Sequence, residues 1–579
     1  MKRIYKYLKV DLAVVLLGIL FVAGSAMVEL YQIRLMGTII DVGIENSDMP
    51  LILNLGVKML LLAVLGIIIS VLGLIIPATV TTRFAHRLRT DLFEKIQNFS
   101  IKNVNKFQTA SLVTRLTNDV DFIQRTVLMR LRMLVRAPVL LFSTVYLTYT
   151  TNKFLSRVPL VAVILLSFVM MYVISQGFPR FIKLQEKMDG LNRKIQESLI
   201  NVRVIKSFVR EDVEDVRFSQ DNKAFYDASM HAHNVMLLID PALMTAINFA
   251  SIVIMYFASF IIIDTKLIAI GDLLVFINYL RFTMFSMMMI TNVFMMMTRS
   301  KASLIRINEV FDEKLDIVNE EKSDEIQTRK GHIEFKDVSF KYYEDDTVAN
   351  TLNNINFSIY PGERLGIIGS TGSGKTTLVN LLGRLMDVSS GAITVDGIDI
   401  KNYDLKALRS LFGFVPQKNI LFKGTITSNL KLGNDNASKD LLRKASQTSL
   451  IYDYIQSQEL KFESEVQQGG LNFSGGQRQR LCIARALVIE PKILILDDST
   501  SALDAQTEEL VMNNLNSHYQ DMTLISIAQK ISSVSKMDRI LVLNEGEIEA
   551  IGTHDELLES SLVYNEIYAS QIRKEEVSL

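Results

Sequence analysis

The sequence predicts two unlike parts: an all-α membrane part of six helices with long cytoplasmic extensions, then an α/β part built around a phosphate-binding loop. Three observations carry this. Apolar runs recur through the first three hundred residues. After about residue 330 the pattern changes to short apolar strands and amphipathic helices with Gly-rich turns. A Gly-rich run, Gly369–Thr377, sits between a strand-like and a helix-like stretch. The 579 residues exceed one core. The 49% hydrophobic and 21% charged residues read as the mean of two dissimilar halves.

Six spans are expected near 13–40, 52–78, 130–150, 155–177, 236–263 and 268–298. Each suffices to cross a hydrocarbon core of about 30 Å. The first ten residues are basic and amphipathic, and the apolar run after them is too long for a signal-peptide core. It reads as a first span that stays. The long loops near 79–128 and 178–235 are rich in Arg and Lys, whereas the segments Glu45–Pro50 and Thr151–Lys153 are short. The positive-inside rule therefore places both termini and both long loops in the cytoplasm. The loops should continue the membrane helices, with short surface helices at Ala110–Thr117 and Ser207–Asp215 suited to a groove on another domain. The expected domains are 1–318 (membrane), 319–332 (a polar linker of mixed charge) and 333–579 (α/β).

Acids and bases balance at 62 each, so global charge gives no argument for a nucleic-acid partner. The single cysteine, Cys482, excludes an intramolecular disulfide and reads as a small buried residue of a helix.

Gly369–Thr377 matches G-x4-G-K-[ST] in its strand–loop–helix setting. In it Gly369, Ser370, Thr371, Gly372, Ser373 and Gly374 let backbone N–H groups converge on phosphate oxygens at a helix start. Lys375 can reach the outer phosphates, Thr376 can ligate magnesium, and Thr377 closes the motif. The strand-like run Lys492–Leu496, apolar from Ile493, ends in Asp497, an acid suited to hold the same ion. Ser474, Gly475, Gly476 and Gln477 start a second helix, Arg478–Leu487, and form another phosphate grip. Two such grips reach one terminal phosphate most simply when two chains face head to tail, with ATP between them.

These motifs, in this order and spacing, resemble the ATP-binding cassette exporters over nearly the whole chain. Gly369–Thr377 looks like Walker A, Asp497 the Walker B aspartate and Ser474–Gln477 the signature. The resemblance implies an α/β P-loop ATPase with ATP and Mg2+ as cofactors. It places Tyr342 as the adenine-stacking aromatic, with Tyr343 competing, and Gln417 as the Q-loop glutamine at the metal. Asp504 takes the D-loop position for communication across the dimer. It also implies a bacterial cytoplasmic membrane location.

Two positions depart from the family pattern. Asp498 stands where a catalytic glutamate follows Walker B, and Gln529 where a switch histidine faces the γ-phosphate. An Asp carboxylate sits back by one carbon–carbon bond, about 1.5 Å. Misplacing a general base costs about 10²–10⁴ in rate. Gln529 can hydrogen-bond but carries no imidazolium charge. The division is similar to that of asymmetric heterodimeric bacterial multidrug exporters. It implies a non-identical half-transporter partner that carries the glutamate and the histidine. The alternative is a homodimeric lipid or peptide exporter.

For cargo, the last span is rich in methionine, including Met284, Met288 and Met295, a flexible and polarizable lining. Glu29 in the first span costs about 2.5–3.5 kcal/mol at a bilayer centre, so it is expected to face a partner or the path. A carboxylate beside such a lining favours lipophilic cations. Lipophilic small molecules and membrane lipid are the expected partners.

Overall fold

A computed structural model of the protein describes residues 2–265, 268–318, 330–342 and 349–578. The chain divides into two compact units. One comprises 1–97 with 110–312, the other 98–109 with 313–579.

The first unit is helical. Six helices are long and apolar enough to cross a membrane: Leu12–Ile44, Met49–Gln97, Thr109–Thr151, Arg157–Ile200, Glu211–Ile263 and Ile270–Thr291. Several far exceed a bilayer's need. The 49 residues of Met49–Gln97 extend about 74 Å at 1.5 Å per residue, so the span runs on beyond the hydrocarbon as the sequence predicts. Glycines let spans approach closely. A Cβ on Gly18 would meet the Pro77 ring at 3.3 Å, and one on Gly271 would lie 2.4 Å from the Gly37 carbonyl oxygen. The sixth helix, Ile270–Asp312, starts against the first. Asp41 accepts from the backbone N–H of Gly271 and, at 3.0 Å, that of Asp272. That satisfies two of the orphan donors every helix start leaves. Farther along, Thr144 and Thr283 share a buried hydroxyl bond of 2.8 Å, and Arg306 donates to Asp119 at 2.8 Å. The third and sixth helices therefore run antiparallel along most of their length.

The short surface helices lie elsewhere than expected. Residues 110–117 run straight into the third span. The separate helix is Ile101–Phe107, begun by a capping box between Ser100 and Asn103 and ended by Gln108 at φ +62°. It groups with the second unit. Asn103 Nδ2 donates to the Lys314 carbonyl at 3.1 Å, and Lys106 pairs with Glu313 at 2.7 Å. In the other loop the short helix is Val202–Ser207. Val209, at φ +51°, breaks the chain before the next helix begins at Glu211.

The second unit is α/β. Its strands are β1 (Ile333–Phe340), β2 (Leu352–Ile359), β3 (Arg364–Gly369), β4 (Ser390–Val395), β5 (Ile398–Asp399), β6 (Phe412–Val415), β7 (Gly424–Thr425), β8 (Glu465–Val466), β9 (Ile493–Asp497), β10 (Thr523–Ile527), β11 (Arg539–Asn544) and β12 (Glu547–Gly552). One sheet, in the order β2-β1-β4-β5, is antiparallel. The larger runs β12-β11-β3-β10-β9-β6, parallel except at β12. β9 and β10 are buried along their whole length, as expected of strands covered on both faces. Cys482 is buried, as predicted, in the helix Gly475–Leu487. Of the predicted linker, 319–329 lie outside the described residues. Lys330, Gly331 and His332 anchor its end by donating backbone N–H groups to the Asp396 carboxylate at 3.0 Å each.

Candidate functional site

Ligands of open parallel sheets collect at the carboxyl ends of the strands. Here the central neighbours β3, β10 and β9 carry the predicted residues at those ends. Gly369 closes β3, Gln529 follows β10 by two residues, and Asp497 closes β9. Gln417 stands exposed two residues past β6, the strand paired with β9.

The loop Gly369–Gly374 needs its glycines. Gly369, Gly372 and Gly374 have φ of +158°, +87° and +99°, and the last two occupy the left-handed region. A Cβ on Gly369 would lie 2.0 Å from the Leu543 carbonyl oxygen. Gly374 starts the helix Lys375–Leu382. Lys375 Nζ folds over the loop, donating to the carbonyls of Gly369 (2.9 Å) and Ser370 (2.7 Å). Burial pushes its ammonium below the ordinary lysine range, opposed by the Asp497 and Asp498 carboxylates. Those acceptors are weak beside a phosphate, so the lysine is poised to exchange them for one. Thr376 Oγ1 donates to Asp497 at 3.1 Å. Burial raises the Asp497 carboxyl above the usual range, with the Thr376 bond opposing. Two converging oxygen ligands suit a hard cation that would neutralise phosphate charge. Thr376, Asp497 and Gln417 would hold it. Tyr342 is half-buried, edge-on to Phe340 with ring centres 5.0 Å apart, and its hydroxyl bonds Thr377 at 3.0 Å. Tyr343 lies outside the described residues.

The two departures from the family pattern meet each other. Gln529 Nε2 donates to Asp498 Oδ2 at 2.7 Å. Asp498 is also fixed through its backbone, at φ +48° with its N–H on the Ile527 carbonyl at 3.0 Å. Gln529 is steadied by Gln571 Nε2 on its carbonyl at 2.8 Å. An amide therefore holds one oxygen of the carboxylate that follows Walker B.

Ser474 caps the helix Gly475–Leu487. Its Oγ accepts the Gln477 N–H at 3.2 Å, while Gln477 Oε1 accepts the Ser474 N–H at 2.9 Å. Ser474 is exposed, and among the described residues no hydrogen bond joins Ser474–Gln477 to Gly369–Thr377. The serine grip thus faces outward. Asp504 caps the helix Ala505–His518 through Thr507, and that bond holds its carboxyl below the usual range. Sequence reasoning missed Gln479. This buried side chain accepts the Ala502 N–H at 3.0 Å and ties the D-loop to the signature helix. The signal available was its place one turn into the capped helix.

In the membrane unit, Glu29 is paired with Arg136 of the third span at 2.5 Å. Of the two expected settings, a partner or the path, the structure gives it a partner, and the pair offers lipophilic cations no net charge. Met284 is fully buried among the fourth, fifth and sixth helices. It packs the core instead of lining a path, because its helical face turns inward. Met288 is partly buried against the same cluster, and the side chain of Met295 lies outside the described residues.

Comparison with known proteins agrees with this geometry. Residues 15–287 match the family model described as ABC transporter transmembrane region, and 352–501 the ABC transporter model. An uncharacterized ABC transporter ATP-binding protein of Bacillus subtilis, YfiB, is 36% identical over 576 residues, 99% of each chain. YgaD of the same organism, a putative multidrug export ATP-binding/permease protein, is 28% identical over 85% of this chain and 84% of that one. A solved bacterial Atm1-family ABC exporter with ATP bound shares the fold, with a TM-score of 0.79 over 97% of this chain and 98% of that one, at 24% identity. The protein is a multi-pass membrane ATPase that couples ATP hydrolysis to transport, and the chain belongs to the ABC transporter family.

Proposed function

We propose that this chain is one half of a heterodimeric exporter for lipophilic compounds, working by alternating access in a bacterial cytoplasmic membrane with both termini cytoplasmic. Its own Walker residues form a slow ATP site with the partner's signature. Its Ser474–Gln477 grip completes a competent site on the partner. The observation that carries the reading is the bond between Gln529 and Asp498 at 2.7 Å. A general base needs a free carboxylate oxygen within hydrogen-bond reach of the attacking water. Here the carboxylate is one methylene short, and one of its two oxygens is already held by the Gln529 amide. The slow site holds nucleotide and keeps the two ATPase domains together, while hydrolysis on the partner's motifs resets the cycle. Magnesium sits at Thr376, Asp497 and Gln417. Phe208 and Val209, highly exposed beside the helix Val202–Ser207, supply an apolar tip that fits a groove on another domain.

The second reading, a homodimeric lipid or peptide exporter, is favoured by the intact signature, which would complete a site on an identical chain. Affinity purification of this chain from its native membrane, with mass spectrometry of what accompanies it, separates the two. The heterodimer predicts a second half-transporter in equal amount, bearing Glu and His at the positions of Asp498 and Gln529. Recovery of this chain alone overturns it.

A further inference from the structure

We infer that the path lined by this chain is built for an anionic amphiphile; this rests on the exporter reading and names its cargo class. Three helices that pack on one another, Leu12–Thr38, Val120–Thr151 and Ile270–Asp312, carry the observation. Within residues 20–41, 130–150 and 270–290 the arginines are Arg34, Arg130, Arg132, Arg136 and Arg281, five in all, against three acids, Glu29, Asp41 and Asp272. Arg136 is balanced by Glu29. Arg34 lies within electrostatic reach of Asp272, at the start of the sixth helix. Arg132 and Arg281 are exposed, and no ion pair is formed by either among the described residues.

Their placement is ordered. Thr144 meets Thr283 across the antiparallel third and sixth helices, so Arg281 stands level with Tyr146. Arg136 and Arg132 lie one turn apart on the third helix, about 15 Å and about 21 Å below that level at 1.5 Å per residue. The charges therefore form steps along one direction of travel. Between them the third helix exposes Phe142 and Tyr146, at 72% and 66% of their surface, and the sixth exposes Phe285. An unpaired arginine facing lipid at the bilayer centre costs about 2.5–3.5 kcal/mol, a cost that bears on Arg281, while Arg132 stands at the cytoplasmic, watery end of the expected third span, 130–150. These faces therefore turn toward water or toward the transported molecule. A guanidinium binds carboxylate, sulfonate or phosphate bidentately, and the aromatic surface takes the apolar body. A cation would meet repulsion at the Arg132 and Arg281 steps.

The test uses the purified transporter, as isolated with whatever partner accompanies it, in phosphatidylcholine vesicles. ATP-dependent movement is measured for three probes: calcein as a free anion, a fluorescent phosphatidylglycerol as an anionic headgroup, and ethidium as a cation. At least one anionic probe should move at least 10-fold faster than ethidium, and which one moves tells a free anion from a lipid. Arg132→Gln with Arg281→Gln should cut that movement at least 10-fold without changing basal ATP hydrolysis. The Lys pair at the same positions should retain it, which separates lost charge from lost folding. Ethidium outpacing both anions, or unchanged anion movement in the Gln pair, overturns the inference. Neither result bears on the asymmetry of the ATP sites, which is read from hydrolysis by each chain without any probe.

Discussion

Asp498→Glu combined with Gln529→His should turn the proposed slow ATP site into a competent one. Two defects are repaired together. In the native site the Gln529 amide holds Asp498 Oδ2 at 2.7 Å. A hydrogen bond to a charged group is worth about 1.5–3 kcal/mol, so the need to break it slows turnover by about 10- to 150-fold at 1.36 kcal/mol per decade. The missing methylene sets the carboxylate back about 1.5 Å, a misplacement that costs about 10²–10⁴. The two effects act on the same proton transfer and overlap. A gain of about 10²-fold is the expected floor. The chain's own signature is intact, so two copies of the variant facing each other would contain two complete sites. The assay is phosphate release per chain by the double variant, purified alone in lipid, against the wild type. A rise of less than threefold, with ATP binding unchanged, would refute the argument that these two residues set the rate.

Lys375→Ala should weaken ATP binding at least 10-fold in a fluorescent-nucleotide titration, because the poised ammonium is the site's cation for the outer phosphates. Ser474→Ala loses a helix cap worth about 1 kcal/mol. It should lower hydrolysis by the assembled pair while leaving nucleotide binding to this chain's own Walker loop intact, and a loss of that binding instead would place the serine in the wrong site. Arg136→Ala leaves Glu29 unpaired. A fully buried pair would cost about 3–5 kcal/mol; with 31% and 38% of the two side chains exposed, about 1–2 kcal/mol is expected after solvent screening. The melting temperature in detergent should fall accordingly, and adding Glu29→Gln should recover most of it. No fall in Arg136→Ala would mean the pair does not hold the first and third spans together.

The nucleotide motifs were legible because their chemistry is local. A glycine forced to positive φ, a lysine at a helix start and an acid ending a buried strand are each written in a few consecutive residues, and Gly369, Lys375 and Asp497 lie where the spacing placed them. The six spans were legible by length and apolarity. Their rotation was not, since an all-apolar helix gives no sign of which face packs, and Met284 turned out to be core. Pairing across helices was hidden too. Glu29 and Arg136 are 107 positions apart, and only the packing of the first span on the third makes them partners. The helix Ile101–Phe107 escaped notice because Asn103 completes its capping box in place of the usual Glu or Gln. The Gln529–Asp498 bond could have been anticipated only in part. Each departure was visible alone, but their contact depends on β9 and β10 being neighbours.

The most direct test of the asymmetric account is ATP hydrolysis by this chain purified alone in lipid, and again with the half-transporter that supplies the glutamate and histidine. The account predicts hydrolysis near background alone. It should rise strongly on assembly and be abolished when the partner's glutamate is changed to glutamine. Vigorous hydrolysis by this chain alone would contradict it and make Asp498 and Gln529 a working pair.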